Sequence, residues 1–66
     1  MNYRNIASSE LNDFLKEFPE LTVGQVILAV LSQKEDSEQS LREWLFNVSD
    51  EDLYTAIEKA KANERD

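Results

Sequence analysis

The chain has no cysteine and no histidine, and only one glycine and one proline among its 66 residues. Without cysteine there is no disulfide framework, which suits a reducing compartment, and without either residue type zinc loses its usual donors. The same absences remove the commonest general base and the most reactive nucleophile, and there is no glycine-rich loop to cradle a phosphate. One glycine and one proline supply too few turn formers for an all-β fold. Long apolar runs are missing as well. The longest, Val26 to Leu31, is six residues, against the roughly 20 needed to span a bilayer. Met1 to Asn5 leads into polar Ser8-Ser9-Glu10 rather than an apolar stretch, so no secretory leader is expected and the chain reads as cytoplasmic.

Positive charge is scarce too. Seven Lys and Arg face 14 Asp and Glu, for a net charge of −7. Residues 1–34 hold three basic and four acidic groups, about −1, and residues 35–66 hold four and ten, which is the remaining −6. Affinity for phosphates comes largely from Lys and Arg releasing counterions, so neither nucleic acid nor an anionic membrane is an expected partner. A basic protein partner stays open, beside the simpler reading that the acids keep a small protein in solution.

What the chain does have is apolar spacing of three and four throughout. With 41% apolar residues, the pattern predicts one small all-α domain over residues 1–66, a compact bundle of four short helices at about 3–18, 22–33, 37–46 and 49–61. In the first helix Tyr3, Ala7, Leu11, Phe14, Leu15 and Phe18 form one stripe, with Asn2, or else Ser8 or Ser9, as cap and Pro19 as the stop. Thr22 and Gln25 have capping-box spacing, with Leu21 and Val26 placed as a hydrophobic staple. This second helix is apolar around most of its circumference, which marks a central element or an oligomer contact, and Gly24 in its first turn would permit another backbone to approach. Lys34 to Ser37 is the expected loop. Asp36 or Ser37 would cap the third helix, and Asn47 would end it in a left-handed conformation. Ser49 and Asp52 give a cap for the fourth helix, with Val48 stapling Leu53. Asp50, Glu51 and Asp52 suit the positive end of its dipole, Lys59 and Lys61 suit the other end, and residues 63–66 are expected to fray. The expected core is Leu11, Phe14, Leu15, Phe18, Leu21, Val26, Ile27, Val30, Leu31, Leu41, Trp44, Leu45, Leu53 and Ile57, with Ala60 also facing inward.

Several chemistries can be weighed on these residues. The run Leu41-x-x-x-Leu45-x-x-Val48-Ser49-x-x-x-Leu53-x-x-x-Ile57 resembles the helix-turn-helix pattern over about a quarter of the chain. In that family the N-terminal residues of the second helix touch base edges. Here those positions are Asp50, Glu51 and Asp52, and Phe46 and Asn47 stand where a small turn residue is usual. Three acids facing phosphates have the wrong sign for DNA. A calcium loop needs acids at alternate positions, a glycine and a closing glutamate. Neither Glu35-Asp36-Ser37-Glu38 nor Asp50-Glu51-Asp52 supplies them. Asp36-Ser37 in an acidic helical chain is similar to the Asp-Ser-Leu of acyl carrier proteins, which would imply a phosphopantetheine arm on Ser37. Glu38 replaces the leucine, and an N-cap serine accounts for the dipeptide. Carboxylate pairs such as Glu17 with Glu20 exist, but so small a helical domain offers little room for a substrate pocket.

Ile6, Leu28, Phe46 and Tyr54 lie off the main apolar stripes. They are the candidate interaction surface, with Asp50, Glu51 and Asp52 as an acidic face. A second seam inside a bundle would bury the first four equally well. The sequence therefore points to a small non-enzymatic protein-interaction module that engages a protein partner or self-associates as a homodimer. No cofactor, metal, catalytic residue or small-molecule substrate is expected. The alternative is a helix-turn-helix-like transcriptional regulator or an acidic DNA mimic.

Overall fold

The computed structural model describes residues 2–33 and 40–65. It contains four helices, α1 Tyr3–Glu17, α2 Val23–Leu31, α3 Leu41–Asn47 and α4 Asp50–Arg65. The described residues contain no strand. The fold class is the all-α bundle that the spacing predicts.

The principal contact joins the two longest helices, α1 and α4. Tyr3 packs on Tyr54 with ring centroids 6.1 Å apart, Glu10 pairs with Lys61 and Glu17 with Arg65. The partners' numbers rise together, so α1 and α4 run parallel. On α1 the residues Tyr3, Ala7, Glu10, Phe14 and Glu17 repeat at spacings of four and three, the seam of a supercoiled pair. Buried Ala7, Ala56 and Ala60 let the two backbones come close. Because α1 and α4 are distant in sequence and parallel, α2 and α3 serve as the crossover between them.

Phe14, Val26 and Ile57 are fully enclosed at the centre, with Val30 beside them. Phe14 meets Phe18 edge to face, centroids 5.4 Å apart at 66°, the arrangement that aromatic quadrupoles favour. Leu11, Leu15, Phe18, Leu21, Ala29, Trp44, Leu53 and Tyr54 pack around this core, each partly buried. Leu31 is partly buried as well. Three residues expected inside are not. Ile27, Leu41 and Leu45 are exposed, because α3 buries none of its residues and so leaves the adjoining side of α2 uncovered.

Local signals set most of the helix ends. Phe18 has left helical geometry ahead of Pro19 (φ −122°, ψ 69°), and the Leu21 N–H donates to the Phe18 carbonyl at 3.0 Å to close a turn. Thr22 forms the capping box in full: its Oγ1 accepts from the Gln25 N–H at 3.1 Å, and its own N–H donates to Gln25 Oε1 at 2.8 Å. Ser49 Oγ accepts from the Asp52 N–H at 3.1 Å. Asn2 occupies the N-cap position of α1 without a side-chain capping bond.

Other boundaries differ from expectation. α2 ends at Leu31 rather than 33, with Ser32 Oγ donating back to the Leu28 carbonyl. The third helix starts at Leu41, not 37, because Ser40 is extended (φ −65°, ψ 158°) and its Oγ takes the Glu43 N–H. The expected loop and the caps at Asp36 and Ser37 lie outside the described residues. Asn47 is not left-handed. It remains helical, its amide donates to the Glu43 carbonyl at 2.9 Å, and extended Val48 ends the helix. The stretch 63–65, expected as a tail, belongs to α4. α4 continues to Arg65, whose guanidinium grips Glu17 through two bonds of 2.7 and 2.8 Å. Among the described residues Gly24 has no close neighbour from another helix; a Cβ built there would meet Thr22 Oγ1, at 3.9 Å.

Candidate functional site, an apolar groove between the four helices

Leu11 of α1, Ile27, Val30 and Leu31 of α2, Leu45 of α3, and Leu53 and Ile57 of α4 line a groove of about 180 Å³. Every lining side chain is apolar. The groove exists because each helix contributes its stripe there while short α3 fails to close over it. Val23 and Leu28 of α2 and Leu41 and Phe46 of α3 are exposed as well, and so are parts of the lining residues Ile27 and Leu45. Phe46 stands furthest out, at 88% exposure. It follows the groove-lining Leu45 in α3 and projects about 100° around the helix from it. Val23 lies one helical turn before Ile27, and Leu41 one turn before Leu45. Each therefore lies on the same helix face as a groove-lining residue.

The four residues singled out for lying off the stripes do not share one surface. Leu28 and Phe46 are exposed on α2 and α3. Tyr54 is drawn into the α1–α4 seam by Tyr3, and Ile6 is partly buried on α1, on the flank turned away from Leu11 and Leu15. Ile27, Leu41, Leu45 and Val23 complete the face instead. The available signal was that α2 is apolar around most of its circumference, which a neighbour as short as α3 cannot cover.

Asp50, Glu51 and Asp52 are exposed in the first turn of α4, where the free N–H groups favour negative charge. Leu41 and Leu45, the inward positions of the helix-turn-helix pattern, face solvent here, so the resemblance does not extend to its packing. The acidic run 35–38 and Ser37 lie outside the described residues. Among the described residues no group of three or more carboxylates is arranged to hold a metal ion.

A second cluster lies on the α1–α4 seam. Lys61 is buried, 7% exposed, with Nζ 2.9 Å from Glu10 Oε2 and 4.0 Å from Glu58 Oε1. Hydrogen bonding to Glu58 and to Lys61 holds the Glu10 carboxyl below its ordinary value. The hydrogen bond with Glu10, together with burial, raises Glu58. The Glu10 carboxylate also raises Lys61. A lysine held protonated in this way is a structural cation and a poor nucleophile. At the far end of the seam the guanidinium of Arg65 lowers Glu17. Charge spacing on α1 and α4 did not reveal either pair, since the partners are about 50 residues apart.

No protein-family model, curated protein or solved structure matches the chain. Among the described residues no helix is long and apolar enough to cross a membrane.

Proposed function

We propose that this chain is a non-enzymatic protein-interaction module that docks a partner through the exposed apolar face of α2 and α3. The observation that supports it is the exposure of Val23, Ile27, Leu28, Leu41, Leu45 and Phe46 on α2 and α3, where Ile27 and Leu45 line one apolar groove. Scattered surface leucines need no explanation, but six large apolar residues gathered on two adjoining helices of a small chain mark a contact surface. A groove of about 180 Å³ is smaller than the roughly 300–1,000 Å³ of ordinary small-molecule sites, and no polar group converges on it to orient a substrate. It fits one apolar side chain presented by a macromolecule.

A cytoplasmic setting suits a chain without cysteine. Duplex DNA is no partner in this reading, since α4 opens on three acids and carries no basic residue before Lys59. The test is a comparison of complexes captured from the native cell by the wild type and by Leu28→Glu/Phe46→Glu. Both positions face solvent, so circular dichroism and urea midpoint should be unchanged. Associated chains, whether foreign or copies of this one, should be lost from the variant. Identical complexes on both would refute the reading.

A further inference from the structure

The face that this reading makes a docking surface carries both a projecting ring and a hole of matching size. We propose that its occupant is a second copy of the chain, in a two-fold dimer where Phe46 of each copy enters the groove of the other. The inference rests on the docking reading and names its partner.

Size complementarity is the first support. An apolar cavity of about 150 Å³ accepts a benzene molecule, and the groove measures about 180 Å³. Among the described residues Phe46 is the most exposed of the large apolar side chains, at 88%, and neither ring contact seen among them involves it. It is adjacent in sequence to Leu45, a groove wall. A two-fold axis near the α3 helix can therefore place each ring in the opposite groove, an isologous contact that closes on itself.

Area is the second. At their observed exposures the six side chains present on the order of 600 Å² per copy, or roughly 1,200 Å² for two, the lower edge of what specific interfaces bury.

Charge distribution is the third. The net charge is −7, yet α2, Val23–Leu31, contains no ionisable residue. Two copies can bring their α2 helices together without opposing like charges there. Gly24 lies on the Leu28–Leu31 side of α2, and among the described residues no other helix fills the space beside it, which leaves room for a close helix from the other copy.

Sedimentation equilibrium of the full chain, from low-micromolar to near-millimolar concentration, tests this directly. A monomer–dimer equilibrium is expected, and it should tighten from physiological to molar salt as the −7 charge of each copy is screened. Phe46→Ser should weaken the dimer roughly thirtyfold or more, the loss typical of a buried aromatic anchor, with an unchanged urea midpoint. Ile27→Trp, which fills the hole from an exposed position, should weaken it similarly. Each variant alone loses both reciprocal insertions, but their equimolar mixture keeps one ring facing one open hole. Partial association of the mixture is therefore expected. A strictly monomeric wild type, a dimer indifferent to Phe46→Ser, or growth beyond dimer would each overturn the proposal. If the wild type is monomeric while Leu28→Glu/Phe46→Glu still loses a captured protein, the dimer fails and the docking face stands. If the double variant loses nothing, both fail.

Discussion

Replacing Lys61 by methionine isolates what the buried charge cluster contributes. Methionine keeps an unbranched apolar stem of similar reach, so packing along α1 changes little and the ammonium is removed. The lost bond is 2.9 Å long, between a lysine side chain only 9% exposed and a Glu10 side chain 23% exposed. Hydrogen bonds to charged groups contribute about 1.5–3 kcal/mol, and the partial access of water to Glu10 lowers that somewhat. Removing the cation also leaves the Glu10 and Glu58 carboxyls facing each other alone. A net loss of about 1–3 kcal/mol at neutral pH is expected, a large share of the roughly 3–10 kcal/mol available to a chain this long.

In urea, with a slope near 1 kcal/mol/M for so small a protein, the midpoint should fall by about 1–3 M. The pH dependence gives the sharper check. Lys61 is raised above its ordinary 10.5, so its contribution is complete below 10.5 and is lost as pH climbs through the folded value. Glu10 is lowered below 4.5, so its contribution is complete above 4.5 and is lost as pH falls through the folded value. Glu58 is raised and has the opposite sign to Glu10: its contribution is present at low pH and fades as pH rises above 4.5. The difference between wild type and Lys61→Met should therefore be greatest on a plateau from somewhat above 4.5 to about 10.5, and shrink at both ends. Equal midpoints at neutral pH, or a difference that stays flat into acid and alkali, would refute the argument.

Two further predictions follow from burial and capping. Phe14→Ala removes a fully enclosed ring and should cost about 3–5 kcal/mol, enough to leave much of the chain unfolded at room temperature by circular dichroism; Phe46→Ala at low concentration should leave the midpoint within about 0.5 kcal/mol of wild type. Thr22→Ala and Ser49→Ala should each lower stability by about 0.5–2 kcal/mol in urea titrations, since each frees a first-turn N–H that the hydroxyl now satisfies.

By itself the sequence determined what short-range physical chemistry controls. Spacing of three and four made the chain helical, the Thr22 and Ser49 hydroxyls opened two helices where expected, and Pro19 closed the first. These signals act over three or four residues, so a single chain displays them. The structure alone decided how the helices share their apolar surface. Ile27, Leu41 and Leu45 carry the same pattern as Val26, Val30 and Ile57. They are exposed because α3, seven residues long, covers too little of α2, and coverage depends on the lengths and positions of neighbours rather than on a helix's own period.

The seam charges were illegible for a related reason. Glu10 and Glu17 look like solvent-facing acids until α4 lies parallel to α1 and brings Lys61 and Arg65 to them. The same pairing fastens the end of α4, where composition alone suggested a loose tail. The candidate face combines both kinds of information. Its apolar content was written in α2 and α3, and its position in the open was decided by which helices pair most extensively: α1 with α4, leaving the connecting helices only partly covered.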